Sequence, residues 1–396
     1  MLKQVEGSKA IADTVAACKP EVICAYPISP QTHIVEGLSQ IVKSGKLPGC
    51  EFMNVESEFS AMSVAIGAAA TGARTYTATA SQGLLYMVEA VYNASGLGLP
   101  IVMTVANRAI GSPINIWNDH SDSMSQRDSG WIQLYAESNQ EAVDLHIQAF
   151  RIAEEMSLPV MVCMDGFILT HAFEEIDIPN EAEVSAYLPP FKPRQVLDPQ
   201  DPVSIGAMVG PEAFMEVKYM GHRRMIESAE KISEAARDFA KSFGRDSGGL
   251  IRPYRVDGAG LVVIALGSVL GTLKDLSDQL DAEGIQLGVL GITSFRPFPT
   301  AEVMAALANC KQVVVLEKAF QTGIGGIVTE DIDRAIRGLP VERKTLIAGL
   351  GGRPITTASV RAYLESVIAG TAEETTFLDL DRTVAEAELA RERSLR

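Results

Sequence analysis

The chain has 396 residues, of which 47% are hydrophobic and 21% are charged, and its formal net charge at pH 7 is −16. This length and composition are typical of a globular protein with two or three domains. The negative charge argues against a nucleic-acid-binding protein, because phosphate binding requires clustered lysine and arginine.

The cysteines are dispersed and form no CxxC pair; they are Cys18, Cys24, Cys50, Cys163 and Cys310. This pattern indicates reduced thiols of a cytoplasmic protein and excludes a ligand set for an iron–sulfur cluster within the chain. Charged residues interrupt the N-terminal segment, and no apolar run is long enough to span a membrane. We therefore expect a cytoplasmic protein with neither a signal peptide nor a membrane span.

Short apolar runs alternate with helical patterns in the first half of the chain. The predicted strands are residues 21–25, 74–80, 100–106 and 159–164, and the predicted helices are residues 7–18, 32–43 and 60–71. This alternation predicts an α/β fold with a mostly parallel sheet flanked by helices.

Residues 178–256 break this rhythm with a proline-rich segment and one long polar helix over about 212–242. We interpret them as a connector and an arm that contacts a partner. The α/β pattern restarts at Gly260, and TLIAGLGG is predicted to be its last strand. The expected division is a first domain over 1–235, a second over 258–366, and a charged C-terminal tail over 367–396.

Three segments lie at predicted strand ends, where parallel α/β sheets bind ligands. They are AYPISPQT (25–32), the segment from VESEFS to ASQGL (55–84), and NRAIGSPINIWNDHSDSMSQRDSGW (107–131). With FRPFP (295–299) and GLGGRPIT (349–356), they make the chain resemble the alpha subunits of 2-oxoacid:ferredoxin oxidoreductases, especially the pyruvate and branched-chain types. The resemblance implies a thiamine-diphosphate-binding domain of the pyrimidine type, followed by a transketolase C-terminal-like α/β domain.

In this resemblance Glu58 matches the carboxylate that activates thiamine diphosphate. A carboxylic acid bound to the aminopyrimidine ring favours the imino tautomer, which removes the proton from the reactive carbon; the protein aligns and tunes the cofactor. The neighbouring Glu56 has a simpler explanation, because an acidic residue at a helix start compensates the helix dipole. Glu58 is the candidate catalytic residue.

The turn after the first strand holds Pro27, Ile28 and Ser29, and its prolines forbid a helix. The family has threonine where this chain has Ser29, which keeps the hydroxyl group and loses a methyl group. The resemblance places Pro27 and Ile28 beside the cofactor and Ser29 beside the substrate. Ser81 is expected to cap a helix, with its N–H groups near an anion; an ordinary cap without ligand contact is equally compatible.

Arg108 follows the strand IVMTVA. The resemblance makes it the clamp of the substrate carboxylate, a role that suits a planar bidentate donor, although a lone arginine there is usually a solvated loop residue. The loop with Asn115, Trp117, Asn118, Asp119 and His120 resembles the loop of pyruvate-type enzymes. We expect these residues to line the pocket, and His120 as a general base is a weaker hypothesis.

The chain has CMDGF but lacks the GDG…N motif that binds Mg²⁺ and diphosphate. No metal ligand is therefore expected here. The resemblance implies that Mg²⁺ and [4Fe-4S] clusters belong to partners: a beta-type subunit with the diphosphate-binding domain, a gamma subunit and a ferredoxin-like delta subunit.

The implied reaction is oxidative decarboxylation of a 2-oxoacid with coenzyme A, giving acyl-CoA and CO₂ and passing electrons to ferredoxin or a flavoprotein. The substrate stays open among pyruvate, branched-chain 2-oxoacids and an aryl 2-oxoacid such as phenylglyoxylate. Two alternatives remain at this point. One is a thiamine-dependent transferase or dehydrogenase component of the transketolase type, and the other is a non-catalytic scaffold subunit.

Overall fold

The computed structural model describes residues 2–394, so residue 1 and residues 395–396 of the expected domain ranges lie outside it. The strands are β1 (Leu2–Glu6), β2 (Val22–Ala25), β3 (Glu51–Asn54), β4 (Thr75–Thr79), β5 (Ile101–Asn107), β6 (Ile132–Tyr135), β7 (Val160–Asp165), β8 (Phe173–Asp177), β9 (Ile251–Tyr254), β10 (Leu261–Ala265), β11 (Leu287–Ile292), β12 (Ser294–Arg296), β13 (Gln312–Glu317), β14 (Glu342–Ile347) and β15 (Thr375–Phe377).

The helices are α1 (Gly7–Ala17), α2 (Thr32–Lys43), α3 (Glu58–Ala70), α4 (Ser81–Tyr86), α5 (Val88–Leu97), α6 (Ser121–Met124), α7 (Asn139–Met156), α8 (Glu181–Tyr187), α9 (Phe214–Phe243), α10 (Val269–Ala282), α11 (Thr300–Ala306), α12 (Val328–Ala335), α13 (Thr357–Ile368) and α14 (Arg382–Ser394).

The first sheet has seven strands in the order β12-β6-β7-β5-β4-β2-β3. Every neighbouring pair is parallel except β12 with β6. Its central strands β5 and β7 are buried along their whole length, as expected for a parallel sheet covered on both faces. One hydrophobic cluster lies under α1, α2 and α7. The strand prediction for this half of the chain is therefore confirmed.

The second sheet has six strands in the order β15-β14-β13-β10-β11-β9, and only β9 is antiparallel to its neighbour. The prediction that TLIAGLGG forms the last strand is wrong, because β15 adds a further strand beside β14. The sequence of β15, Thr-Thr-Phe, is too short to show any period. The second sheet spans residues 251–377. The expected second domain over 258–366 stays a prediction, and a domain that included the whole sheet would be wider.

A single hydrophobic cluster joins the two sheets. It contains apolar side chains of α3 and α5 from the first unit, such as Met62 and Val91, together with Val262 and Ile264 of β10. Strand β12 also leaves the second unit and pairs with β6 of the first sheet. The two units therefore share a core and a sheet edge.

The long polar helix predicted over about 212–242 is α9, Phe214–Phe243. The expected C-terminal tail contains the exposed helix α14. In the part of the chain that the structure describes, no helix combines the length and the apolar character that a membrane crossing would need.

Candidate active site

The parallel strands β2, β4, β5 and β7 end at one edge of the first sheet. Loops that follow the carboxyl ends of neighbouring parallel strands meet there and form the usual ligand site of such sheets. Four expected site residues lie in these loops or at the helix starts that follow them; they are Ser29, Glu58, Ser81 and Arg108. The fold therefore brings the candidates to one edge.

Glu58 is the first residue of α3, whose N-cap is Ser57. The Ser57 hydroxyl oxygen accepts a hydrogen bond from the Ser60 N–H at 3.2 Å, which fixes the start of the helix. Glu58 is only 7% exposed. Among residues 2–394, no group donates a hydrogen bond to its carboxylate or pairs with it. A buried carboxylate without a partner is costly, and this one is available to a ligand.

Glu56 has a different environment. It is exposed, and its carboxylate accepts a hydrogen bond from the Ser60 hydroxyl at 2.5 Å, which lowers its pKa. This contact holds Glu56 at the helix start, in line with the dipole explanation. The two acids of the VESE run are thus distinct in burial and in contacts.

Gly83 of α4 makes room for the Glu58 carboxylate. A Cβ atom at Gly83 would lie 2.6 Å from Glu58 Oε1 and 2.7 Å from Thr79 Oγ1. The Thr79 hydroxyl group is buried and has no hydrogen-bond partner among the described residues. Gly83 thus leaves a small space that any larger side chain would fill. Two polar atoms without partners line this space, which suits the approach of a polar cofactor ring.

Arg108 and Ser29 are in direct contact. The Arg108 Nη1 donates to the Ser29 backbone carbonyl at 2.8 Å, and its Nε donates to the Asn115 carbonyl at 3.3 Å. Burial lowers the pKa of Arg108, while the charge of Asp122 acts in the opposite direction. The guanidinium is therefore fixed between the turn after β2 and the loop after β5, and it is not the solvated loop residue that a lone arginine usually is.

The prediction that Ser81 caps a helix is wrong. Ala80 is the N-cap of α4, and Ser81 is its first residue, with a φ of 49°. The Ser81 hydroxyl group donates to the Ala109 carbonyl at 2.6 Å, and its N–H donates to Asp122. The left-handed conformation turns the backbone N–H toward Asp122, which a normal N-cap serine would not do. Whether Ser81 contacts a ligand stays a prediction.

Sequence reasoning missed Asp122, which is fully buried. Its carboxylate accepts from the backbone N–H groups of Ser81 at 2.9 Å and Arg108 at 3.0 Å, and from the Asn107 side chain at 2.8 Å. Burial raises its pKa to about 6, although these hydrogen bonds act against the rise. Asp122 thus joins the ends of β4 and β5, and nothing in the NDHSD run distinguishes it from Asp119.

A second buried acid, Asp165, ends β7 and contacts the second unit. It accepts from His120 Nε2 at 2.7 Å, from Lys318 Nζ at 2.7 Å and from the Ser268 N–H at 3.0 Å. Burial alone would raise the pKa of Asp165, but the charges of Lys318 and His120 hold it well below its usual value. Asp165 is thus committed to protein partners. His120 is buried against it, and its role as a general base stays a hypothesis.

The loop expected to line the pocket lies against the GLGG turn of the second unit. Asn115 Nδ2 donates to the Gly351 carbonyl at 3.1 Å, and the Gly351 N–H donates to Asp119 Oδ2 at 3.2 Å. Gly352 leaves no space for a Cβ atom against Trp117. The glycines of GLGG are therefore needed for a close approach between the two units.

Two models of known protein families match this chain. Residues 13–238 match the family model described as the thiamine-diphosphate-binding region of pyruvate flavodoxin/ferredoxin oxidoreductase. Residues 259–360 match the model of pyruvate:ferredoxin oxidoreductase core domain II.

Among curated relatives, the chain is 48% identical to the pyruvate synthase subunit PorA of Methanosarcina barkeri, over 95% of this chain and 96% of the relative. It is 39% identical to the ketoisovalerate oxidoreductase subunit VorA of Pyrococcus abyssi, over 92% of this chain and 93% of the relative.

A solved 2-oxoglutarate:ferredoxin oxidoreductase from Magnetococcus marinus is similar with a TM-score of 0.70 and 20% identity. The match covers 93% of this chain and 65% of that one, so it supports the fold alone. The family matches and the relatives at 39–48% identity carry the stronger conclusion. The chain belongs to the family of 2-oxoacid:ferredoxin oxidoreductase alpha subunits, and it is a subunit of a thiamine-diphosphate-dependent enzyme that oxidises a 2-oxoacid.

Proposed function

We propose that this chain supplies the activating carboxylate and the substrate-carboxylate clamp of an active site that it shares with a beta-type subunit. The complete enzyme converts pyruvate and coenzyme A into acetyl-CoA and CO₂. Electrons pass to [4Fe-4S] clusters on partner subunits and then to ferredoxin or a flavoprotein. The buried, unpartnered carboxylate of Glu58 carries this proposal.

Thiamine diphosphate, when bound, supplies the carbon chemistry of decarboxylation. The role of Glu58 is to hold a hydrogen bond to the aminopyrimidine ring, and its empty hydrogen-bonding capacity supports that role. Burial beside Gly83 keeps bulk water from competing for the carboxylate. Pro27, Ile28 and Ser81 are the further residues proposed to line the cofactor.

Arg108 is proposed to bind the carboxylate of the 2-oxoacid. The Arg108 Nη1 already donates to the Ser29 carbonyl, so the orientation of the guanidinium is set before substrate binds. Preorganisation of this kind reduces the entropy lost on binding. Ser29 is proposed to add a hydroxyl donor at the same place. Because decarboxylation consumes the charge that Arg108 holds, its contribution is to binding and orientation.

Mg²⁺ and the clusters are proposed to lie on partner subunits. The carboxylate at the end of β7, Asp165, is occupied by Lys318 and His120, which leaves it unsuited to a metal ion. A beta-type subunit with a diphosphate-binding domain, a gamma subunit and a ferredoxin-like delta subunit would complete the enzyme. The exposed apolar side chains at the start of α9, Phe214, Met215 and Tyr219, support contact with such a partner.

Pyruvate is the proposed substrate because the relatives called pyruvate synthase subunits are 42–48% identical to this chain. Those called ketoisovalerate oxidoreductase subunits are 38–39% identical. The transketolase-type alternative lacks support from any of these relatives. The Glu58→Gln variant described below tests the alternative of a non-catalytic scaffold subunit.

The test uses the anaerobically purified native complex with coenzyme A and a viologen acceptor. Pyruvate, 2-oxoisovalerate, 2-oxoglutarate and phenylglyoxylate are compared as substrates, and the highest kcat/KM is expected for pyruvate. In the same complex, Glu58→Gln is expected to reduce turnover at least 1000-fold while subunit assembly is retained. Glu56→Gln is the matched control and should keep most activity. An unchanged rate in the Glu58 variant would refute the assignment, and reduction with only another 2-oxoacid would replace pyruvate.

A further inference from the structure

A second cavity lies away from the candidate active site. It has a volume of about 410 Å³ and is formed by the end of α5, the loop after α6, the connector before α9 and the first half of α9. Six lining side chains are basic or histidine, namely Arg127, Arg194, Lys218, His222, Arg224 and Arg296. Asp128 is the acidic residue among the lining residues. Arg296 pairs with Asp331, and the other four lysine and arginine side chains form a local cluster of positive charge in a chain of net charge −16.

Arg194 and Arg224 both lie close to Gly98. A Cβ atom at Gly98 would lie 3.3 Å from Arg194 Nη2 and 3.5 Å from Arg224 Nη1. Among residues 2–394, no acidic side chain pairs with either guanidinium. Burial and the charge of Arg224 both lower the pKa of Arg194. Two adjacent like charges destabilise each other, so the pair favours a bound anion.

The carbonyl groups at the end of α5 do not neutralise the arginine pair. The Gly98 N–H donates to the Ser95 carbonyl at 3.0 Å, and the Leu99 N–H donates to the Ala94 carbonyl at 3.1 Å, which closes the last turn. The remaining helix dipole is equivalent to about half an elementary charge, less than the two charges of the arginine pair.

The lining of the cavity also has an apolar part. It includes Tyr92, Leu97, Val217, Met220 and Met225. Flexible methionine side chains and a tyrosine ring form a surface suited to a planar ring. A ligand that carries both phosphate groups and a flat ring would match the basic and the apolar residues of this lining.

The position of the cavity separates it from the candidate active site. Gly98 lies just before the start of β5, whereas Arg108 follows its end. A strand of seven residues is about 20 Å long. Arg194 and Arg224, which lie beside Gly98, are therefore at the opposite end of β5 from Arg108.

We propose that this cavity binds a nucleoside diphosphate, with the diphosphate on Arg194 and Arg224 and the base against the apolar lining residues. The inference goes beyond the proposed function, since it concerns a site remote from the reacting groups. The nucleotide is either free or the adenosine diphosphate portion of coenzyme A, and the experiment distinguishes these sources.

Isothermal titration of the intact anaerobic complex with ADP is expected to show one site per copy of this chain. The double variant R194A/R224A should weaken ADP binding at least tenfold. The R194K/R224K variant, which keeps both charges, should lose less affinity. R223A is the matched control, because Arg223 lies on the same helix, pairs with Glu227 and is not a lining residue. Thermal melting of each variant checks that the fold is intact.

A KM for coenzyme A that rises in the double variant in parallel with the loss of ADP binding identifies coenzyme A as the source. An unchanged KM for coenzyme A identifies a free nucleotide. The proposal is overturned if ADP does not bind the complex or if R194A/R224A binds ADP as tightly as the parent. Binding to the isolated chain but not to the complex also overturns it, because the cavity would then be covered by a partner subunit.

Discussion

The ammonium group of Lys318 lies 2.7 Å from the carboxylate of Asp165, although the two residues are 153 positions apart in the chain. Both side chains are almost fully buried, at 3% and 1% exposure. This ion pair connects the end of β7 in the first sheet with the residue after β13 in the second sheet. It holds the two units together at the edge where the candidate site lies.

Replacing Lys318 by methionine would leave the buried carboxylate of Asp165 with less compensation. Loss of one partner from a buried pair costs about 3–5 kcal/mol. We expect the free energy of unfolding of the chain, measured by urea denaturation, to fall by about that amount. Lys241→Met is the control, since its pair with Asp238 is exposed to solvent, and little change is expected. Equal effects of the two substitutions would show that the buried pair contributes no more than a surface pair.

Arg108→Lys keeps the positive charge but removes the planar fork. A lysine cannot bond the Ser29 carbonyl and also present two parallel donors to a substrate carboxylate. We expect kcat/KM for the 2-oxoacid to decrease by about 10- to 100-fold, mainly through KM. The substrate carboxylate that Arg108 binds leaves as CO₂, so the steps after decarboxylation do not depend on this contact. The measurement is steady-state viologen reduction by the complex. The variant Arg361→Lys, whose arginine pairs with Glu283 and Glu365 in the second unit, should be unchanged. An unaltered KM for Arg108→Lys would argue against the clamp.

Asp122→Asn keeps the shape of the side chain and replaces one acceptor oxygen by an NH₂ group. Asp122 Oδ2 alone accepts from both Ser81 and Arg108 backbone N–H groups, so either amide orientation loses part of this network. We expect kcat/KM to fall at least tenfold and stability to fall by about 1–3 kcal/mol.

The control for that substitution is Asp201→Asn, at an exposed loop position, which should alter neither quantity. Asp122→Glu should not restore activity, because the longer side chain displaces both strand ends. Full activity of Asp122→Asn would show that the network does not position Arg108.

His146 gives a pH dependence of stability with a definite sign. It is buried under the first sheet, and burial lowers its pKa from 6.5 to about 4. The unfolded chain therefore binds more protons than the folded chain between these values, and stability falls as pH decreases through that window. The contribution is about 1.4 kcal/mol per pH unit.

His146→Gln removes this titration. The slope of unfolding free energy against pH between about 6.5 and 4 should be smaller in the variant than in the parent, by about the contribution of one group. The measurement is urea denaturation at several pH values in that range. His222→Gln, at an exposed position, is the control. Identical slopes for the parent and His146→Gln would mean that folding does not lower the pKa of His146.

The sequence predicted elements with strong periodicity well. Helix α2 begins at Thr32 and ends at Lys43, as expected, because its apolar residues form one continuous face. The motif resemblance also selected Glu58, Ser29 and Arg108, which the structure brings to one sheet edge. Their roles stay predictions, since local sequence shows neither a cofactor nor a partner.

Long-range contacts could not be predicted in this way. Nothing near Lys318 indicates that it pairs with Asp165, and nothing in NDHSD indicates that Asp122 bonds two separate strand ends. The error at Ser81 has a local cause. A serine before a helix normally caps it, but the left-handed backbone of Ser81 moves the cap to Ala80.

Strand β12 affects how the two units can be separated or exchanged. Its three residues belong by position to the second unit, yet they form the outermost strand of the first sheet. Cutting the chain between the units would remove them and leave β6 with unpaired backbone groups along one side, where another chain could attach. Swapping the second unit between relatives would place foreign residues within the first sheet. The two units should therefore be engineered together, and a chimera should be joined outside residues 294–296.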